Sequence, residues 1–269
     1  MTTSRIETID GLAVEISGPE SGMPVLFGHS LLFHRGMYDV QVADLSRDFR
    51  CIAIDFRGHG QSARPPRGFR MTDQAEDYRK VMDHLGITRA AVVGLSMGGM
   101  AAMHLAVAHP SRVAGLVLMN TSADPEPAAA RAKDMALAIM ARMFGVNAFI
   151  LKQVAPLMFG STFRAASPEL AESWLQQLTT LDRSALYRAV TMVMSRPAVP
   201  RLSDIRVPTF VVAGDEDAAI PVDRMERIAA AIPGAELRVL PRTGHISTIE
   251  QPEVTTKLLR AWLQTIRDA

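Results

Sequence analysis

Gly94-Leu95-Ser96-Met97-Gly98-Gly99 follows directly on an apolar run, Ala90 to Val93, and leads directly into a helical stretch. G-x-S-x-G between a strand and a helix describes a sharp turn that few architectures accommodate. The serine there takes a strained backbone conformation, and glycine neighbours remove the Cβ atoms that would collide with it. The free N–H groups and positive dipole end of the following helix point toward the serine, which helps an oxyanion form. A glycine-rich turn with an incidental serine is the bland alternative, and the strand and helix on either side argue against it.

The rest of the chain supplies a sheet for that turn. Val25–Phe27, Cys51–Ile54, Gly115–Met119, Thr209–Ala213 and Leu237–Leu240 join Ala90–Val93 as short apolar runs. Their lack of alternation predicts parallel strands buried on both faces. Thr72–Leu85, Met97–His109, Val222–Ile232 and Pro252–Ile266 carry helical periodicity between them, with Asp223 and Glu226 expected near one helix start. Strand and helix in alternation mark a wound α/β domain. The rhythm breaks from about Asn120 to Asp204, where no strand is expected and prolines 125, 127, 156, 168, 197 and 200 punctuate short helices. The expected division is a core of 1–120 and 205–269 with a helical cap at 121–204, inserted before the acid-bearing strand.

Composition narrows the function. Lys+Arg 29 against Asp+Glu 28 leaves a net charge of +1, too little field to hold nucleic acid or an anionic membrane. No run of about 18 apolar residues suggests a membrane span, and Met1–Asp10 lacks the apolar core of a secretory signal. A cytoplasmic protein is expected, with which the single cysteine, Cys51, agrees. No His/Cys/Asp cluster has ligand spacing and no G-x-G-x-x-G is present, so neither metal nor cofactor is expected.

A serine hydroxyl needs a base. Of seven histidines, His84, His104 and His109 fall on expected helices, whereas His245 lies in the loop after the last strand. In a parallel sheet that loop shares the C-terminal edge with Ser96. The base needs an acid to fix its tautomer. Asp215-Glu216-Asp217 follows the strand Thr209–Ala213; Asp217, deeper in the turn, is favoured and Asp215 is held in reserve. Nucleophile, acid and base then occur in the order Ser96, Asp217, His245, as in α/β-hydrolases.

With these stretches, Gly28-His29-Ser30-Leu31, Asp55-Phe56-Arg57-Gly58-His59-Gly60-Gln61-Ser62 and Glu250-Gln251-Pro252 in view, almost the whole chain resembles an α/β-hydrolase of the carboxylesterase and lactonase type. His29-Ser30-Leu31 with Met37-Tyr38-Asp39 most resembles 3-oxoadipate enol-lactonases. The resemblance implies an α/β-hydrolase fold, a scaffold role for His59, and an oxyanion hole from the N–H groups of Met97 and Leu31. The family's His-Gly in that loop is His29-Ser30 here. It also implies acyl transfer through an acyl-enzyme on a small-molecule ester or lactone. Carbon–carbon bond hydrolysis, thioester hydrolysis and cofactor-free perhydrolysis use the same triad, and a non-catalytic receptor uses the same fold.

Methionine is over-represented, with 16 residues against 10 Phe, 3 Tyr and 2 Trp. Flexible thioethers suit an adaptable pocket wall. The substrate-binding residues expected are His29, Ser30, Met140, Phe144, Met158, Phe159 and Trp174. The competing expectation is that most large cap residues simply pack the cap onto the core.

Overall fold

A computed structural model describes residues 4–268. The chain opens with a hairpin, β1 (Arg5–Ile9) and β2 (Leu12–Ser17), turned by Asp10-Gly11 at φ 50° and 79°. Asp-Gly with both residues at positive φ is the two-residue turn whose twist matches antiparallel strands. The parallel part follows as β3 (Met23–Gly28), α1 (Asp39–Leu45), β4 (Phe49–Ile54), α2 (Met71–His84), β5 (Ala90–Leu95), α3 (Met97–Ala108) and β6 (Val113–Met119). Five helices come next: α4 (Ala128–Phe144), α5 (Ala148–Met158), α6 (Ser161–Ala166), α7 (Pro168–Gln177) and α8 (Arg183–Met194). The chain closes with β7 (Thr209–Gly214), α9 (Val222–Ala231), β8 (Glu236–Leu240), α10 (Ser247–Glu250) and α11 (Pro252–Arg267).

The eight strands form one sheet in the order β1-β2-β4-β3-β5-β6-β7-β8, antiparallel from β1 to β4 and parallel from β4 to β8. All six expected strands are present, and the hairpin adds two. Every residue of β5 and β7 is buried, as unalternated apolar runs predict. β8 departs from that expectation. It pairs with β7 alone, and Val239 is 39% exposed because an edge strand has no second neighbour to cover it. Among the described residues no strand interrupts the segment from Thr121 to Ile205. Pro168 opens α7 and Pro127 caps α4, but Pro156 does not divide two helices: it sits in the last turn of α5, which runs on to Met158.

α3 is buried on nearly every side from Met97 to Ala106. A helix so enclosed is a rigid base for the residue at its head, which is Ser96.

Candidate functional site

Ser96 sits between β5 and α3 at φ 54° and ψ −113°, a conformation costing about 1–3 kcal/mol for a non-glycine residue. Packing and hydrogen bonds hold it there. Its N–H donates to Met119 O at 2.9 Å, and its carbonyl accepts the Thr121 hydroxyl at 2.7 Å. A Cβ on Gly94 would lie 2.5 Å from the Gly98 backbone, and one on Gly98 would run into the Gly28 carbonyl. Both glycines are therefore required by close approach of backbone to backbone. Met97 is the first residue of α3, where a helix has no internal acceptor for its N–H.

β7 and β8 deliver the other two groups to the same edge. His245 Nδ1 donates to Asp217 Oδ2 at 2.8 Å, and both side chains are almost fully buried. Asp217 Oδ1 accepts the N–H groups of Ala219 at 2.9 Å and Ile220 at 2.8 Å. Its Oδ2 also accepts the amide of Asn120 at 3.0 Å. Four donors on one carboxylate fix its orientation. Asp215 instead accepts the Thr243 N–H at 3.2 Å, and Glu216 turns away to Ser161 and Thr162. Of the three neighbouring acids, Asp217 is the one bonded to the histidine. That bond places the proton on Nδ1 and leaves the Nε2 lone pair free; Ser96 and His245 line one cavity.

The loop after β3 lies beside them. His29 Nδ1 donates to Ser30 O at 2.8 Å while Nε2 accepts the Phe56 N–H at 2.8 Å. His59 Nε2 accepts the Leu32 N–H at 3.3 Å, and the two imidazoles meet edge to face at 4.9 Å. Burial pushes both rings down to about 3, so they remain neutral scaffold groups near neutral pH. Ser30 keeps an ordinary backbone in the position where the resemblance leads one to expect glycine; the left-handed residue of the loop is Leu32, at φ 73°. Ser30 N–H reaches Met37 Sδ at 3.4 Å and Gly98 N–H reaches His29 O at 3.1 Å, which ties the loop to the head of α3. The Asp55–Ser62 stretch is structural: Asp55 accepts the Arg35 N–H at 2.8 Å, Arg57 pairs with Asp77 at 2.9 Å, and Ser62 Oγ accepts the Ala13 N–H at 2.8 Å.

The cavity measures about 240 Å³ and is walled mainly by aliphatic side chains of α4, α5 and α8, with Ser30, Leu31, Ser96 and His245. Of the seven residues expected to bind substrate, Ser30 and Met158 line it. His29 is fully buried beneath the loop with both ring nitrogens engaged. Phe159 packs against Phe33 and Phe163, and Trp174 lies against Phe33 and His34. Met140 is partly buried against the core, and Phe144 is 66% exposed at the end of α4. Three of the 16 methionines, Met100, Met158 and Met194, touch the cavity. Periodicity marks a helix as amphipathic, but it does not say which buried residue meets a void rather than a neighbour.

Four ionisable residues that sequence reasoning did not single out for this role, Glu126, Lys133, Asp134 and Arg196, also line the cavity. Arg196, its side chain 2% exposed, gives Nη2 to Glu126 Oε2 at 3.1 Å, and Arg224 holds the same carboxylate at 3.2 Å. Asn120 was missed as well, since a lone asparagine after a strand carries no spacing signal. Among the described residues no three His, Cys, Asp or Glu side chains are grouped to hold a metal ion, and no helix is long and apolar enough to cross a membrane.

A wound α/β sheet with a serine turn and a carboxylate-bonded histidine on one edge defines a class of hydrolase folds. Residues 25–258 match the family described as "Alpha/beta hydrolase family", and the chain belongs to that family. It is a hydrolase. Over 98% of its length it is 30% identical to a Caulobacter vibrioides protein named "Putative carbamate hydrolase RutD", covering 99% of that protein. It is 27% identical to 3-oxoadipate enol-lactonase 1 of Acinetobacter baylyi, over 95% of this chain and 94% of that one. The solved structure of a thermophilic esterase from Thermogutta terrifontis superposes with a TM-score of 0.89 at 31% identity, covering 98% of this chain and 99% of that one.

Proposed function

We propose that the protein hydrolyses carboxylic esters or lactones through Ser96, His245 and Asp217. The observation that carries this reading is the buried 2.8 Å bond from His245 Nδ1 to Asp217, with Ser96 and His245 facing one apolar cavity. An esterase and an enol-lactonase among the similar proteins support it. His245 Nε2 takes the Ser96 proton as Oγ bonds to the substrate carbonyl carbon, and the N–H groups of Met97 and Leu31 receive the oxyanion. The C–O bond to the leaving alcohol breaks as His245 returns the proton to that oxygen. Water, deprotonated by the same imidazole, then bonds to the acyl carbon, and the C–Oγ bond breaks as His245 returns the proton to Ser96, which frees the acid. Each oxyanion donor contributes roughly 3 kcal/mol to the transition state.

Residues 1–120 and 205–269 form the catalytic core in this reading, and 121–204 form a cap whose α4, α5 and α8 shape the substrate cavity. The aliphatic wall favours a small neutral acyl or alcohol group over a polymer. The test is turnover of a panel of p-nitrophenyl esters, lactones, a carbamate, thioesters and diketones by wild type and Ser96→Ala. Ester or lactone turnover lost in the Ser96→Ala protein with an unchanged circular dichroism spectrum is the expected result. Wild-type activity retained in that variant overturns the reading, and turnover confined to diketones or thioesters moves the chemistry to another bond.

A further inference from the structure

The turn that carries His245 is held from behind by a second buried carboxylate. Glu250, 9% exposed, accepts the N–H of Gly244 at 2.8 Å through Oε2 and the N–H of Ile246 at 3.1 Å through Oε1. The residues on both sides of the histidine are thus pinned by one side chain. Oε2 also accepts the N–H of Gly160 at 3.0 Å, from the junction of α5 and α6 some ninety residues earlier. Ile246 N–H further reaches Met158 O at 3.1 Å, and Met158 lines the cavity. Backbone meets backbone at this point: a Cβ on Gly160 would lie 2.9 Å from Gly244 N.

A carboxylate with little access to water is costly unless its lone pairs are filled. Burial raises the Glu250 carboxyl above its ordinary range, and the three N–H donors with the nearby imidazole pull it back. Three donated N–H groups require an acceptor on both oxygens, which the ionised form supplies. The other ionisable groups around the turn have separate tasks. Asp217 is bonded to the ring, Asp215 accepts the Thr243 N–H, Glu216 is spent on Ser161 and Thr162, and Arg242 is exposed.

We propose that Glu250 is a positioning residue for His245: it fixes the backbone of the histidine turn, places a second negative charge behind the imidazolium, and joins that turn to the cavity wall at Met158. The inference rests on the proposed roles of Ser96, His245 and Asp217. Glutamine in its place keeps the volume but loses the charge and turns one acceptor into a donor, so at least one of the three N–H groups loses its acceptor on residue 250 and faces an N–H instead. Aspartate keeps the charge but withdraws it by one methylene.

The experiment is the second-order rate of Ser96 labelling by a fluorophosphonate, measured against pH on the full chain. It needs no knowledge of the natural substrate, and Ser96→Ala serves as the unlabelled control. Glu250→Gln is expected to slow labelling about 10- to 100-fold, the scale of a small misplacement of a reacting group. Its acid limb is expected to move to lower pH, because an imidazole that has lost a neighbouring anion is less basic. Glu250→Asp is expected to be slowed as well, with its acid limb kept near the wild-type pH. Wild-type rates and limb in Glu250→Gln, with only a lower melting temperature, overturn the proposal; if that variant does not fold, an unchanged rate in Glu250→Asp does the same. Failure of wild type to label at Ser96 removes the triad and this proposal with it, whereas the preceding outcomes remove this proposal alone.

Discussion

The side-chain amide of Asn120 spans the two loops of the site, donating to Asp217 Oδ2 at 3.0 Å and to Gly244 O at 3.2 Å. Asn120 is fully buried at φ 44°, and its Oδ1 accepts the Ser247 hydroxyl at 2.9 Å. Asn120→Ala leaves Asp217, the Gly244 carbonyl and Ser247 each one partner short. The expected loss is about 1–3 kcal/mol of stability, read from urea denaturation. Asn120→Asp is expected to be the poorer catalyst of the two, because it sets a second carboxylate against Asp217. Equal kcat/KM for the two variants would show that a second carboxylate beside Asp217 is immaterial to turnover.

The two acids of the β7 loop separate by substitution. Asp217→Asn retains the shape but favours the wrong imidazole tautomer, and kcat is expected to fall by about 10⁴. Asp215→Asn keeps an acceptor oxygen for the Thr243 N–H and is expected to change kcat only a few-fold. A larger loss in Asp215→Asn than in Asp217→Asn transfers the acid role between them.

His29 and His59 set an acid limit on stability. Their folded pKa of about 3 lies below the ordinary 6.5, so the unfolded chain binds more protons between those values. The stability they contribute is complete above pH 6.5 and falls as pH drops from there toward 3, by up to about 1.4 kcal/mol per pH unit for each ring. Urea midpoints at pH 7, 6, 5 and 4 should decline, and the decline should be shallower in His59→Gln. A slope identical in that variant and wild type would assign the acid sensitivity elsewhere.

In the proposed reading the cavity limits the length of the ester chain. Ala138 is 5% exposed and lines the cavity from α4. Ala138→Phe fills part of about 240 Å³, at an overpacking cost of about 1–3 kcal/mol. KM is expected to rise with ester chain length more steeply than in wild type, with acetate esters least affected. Parallel chain-length profiles for the two proteins would place the substrate chain outside this cavity.

The parallel strands were legible because a buried strand must be apolar throughout, and the turn at Ser96 because its glycines answer a steric demand. The hairpin also left a sign in the sequence, Asp10-Gly11 between Arg5–Ile9 and Leu12–Ser17, but those strands contain Arg5, Glu7 and Glu15 and offer no continuous apolar run. Asn120 and Arg196 were not legible. Each acts on residues about 70 to 125 positions away, and only the closed fold brings them together. Glu250 was visible as part of a widespread ending, yet its contact with Gly160 depends on how α5 meets α6. Phe144 and Trp174 have the chemistry of pocket residues; which way a helix is rotated decides the rest.

The junction between the five-helix segment and the sheet has an engineering consequence. Val199 N–H donates to Ala123 O at 2.8 Å, so the chain enters and leaves that segment at one place. Glu126 on the way in is clasped by Arg196 on the way out and by Arg224 of α9. A cassette cut at Ala123 and Val199 therefore carries the Arg196–Glu126 pair with it, and a recipient scaffold must supply the equivalents of Arg224 and of Arg227, which pairs with Asp124 at 2.9 Å. It must also offer a carboxylate where Glu250 meets Gly160, or the transplanted helices lose one of the two bonds, beside Met158 O with Ile246 N–H, that register them against the histidine turn.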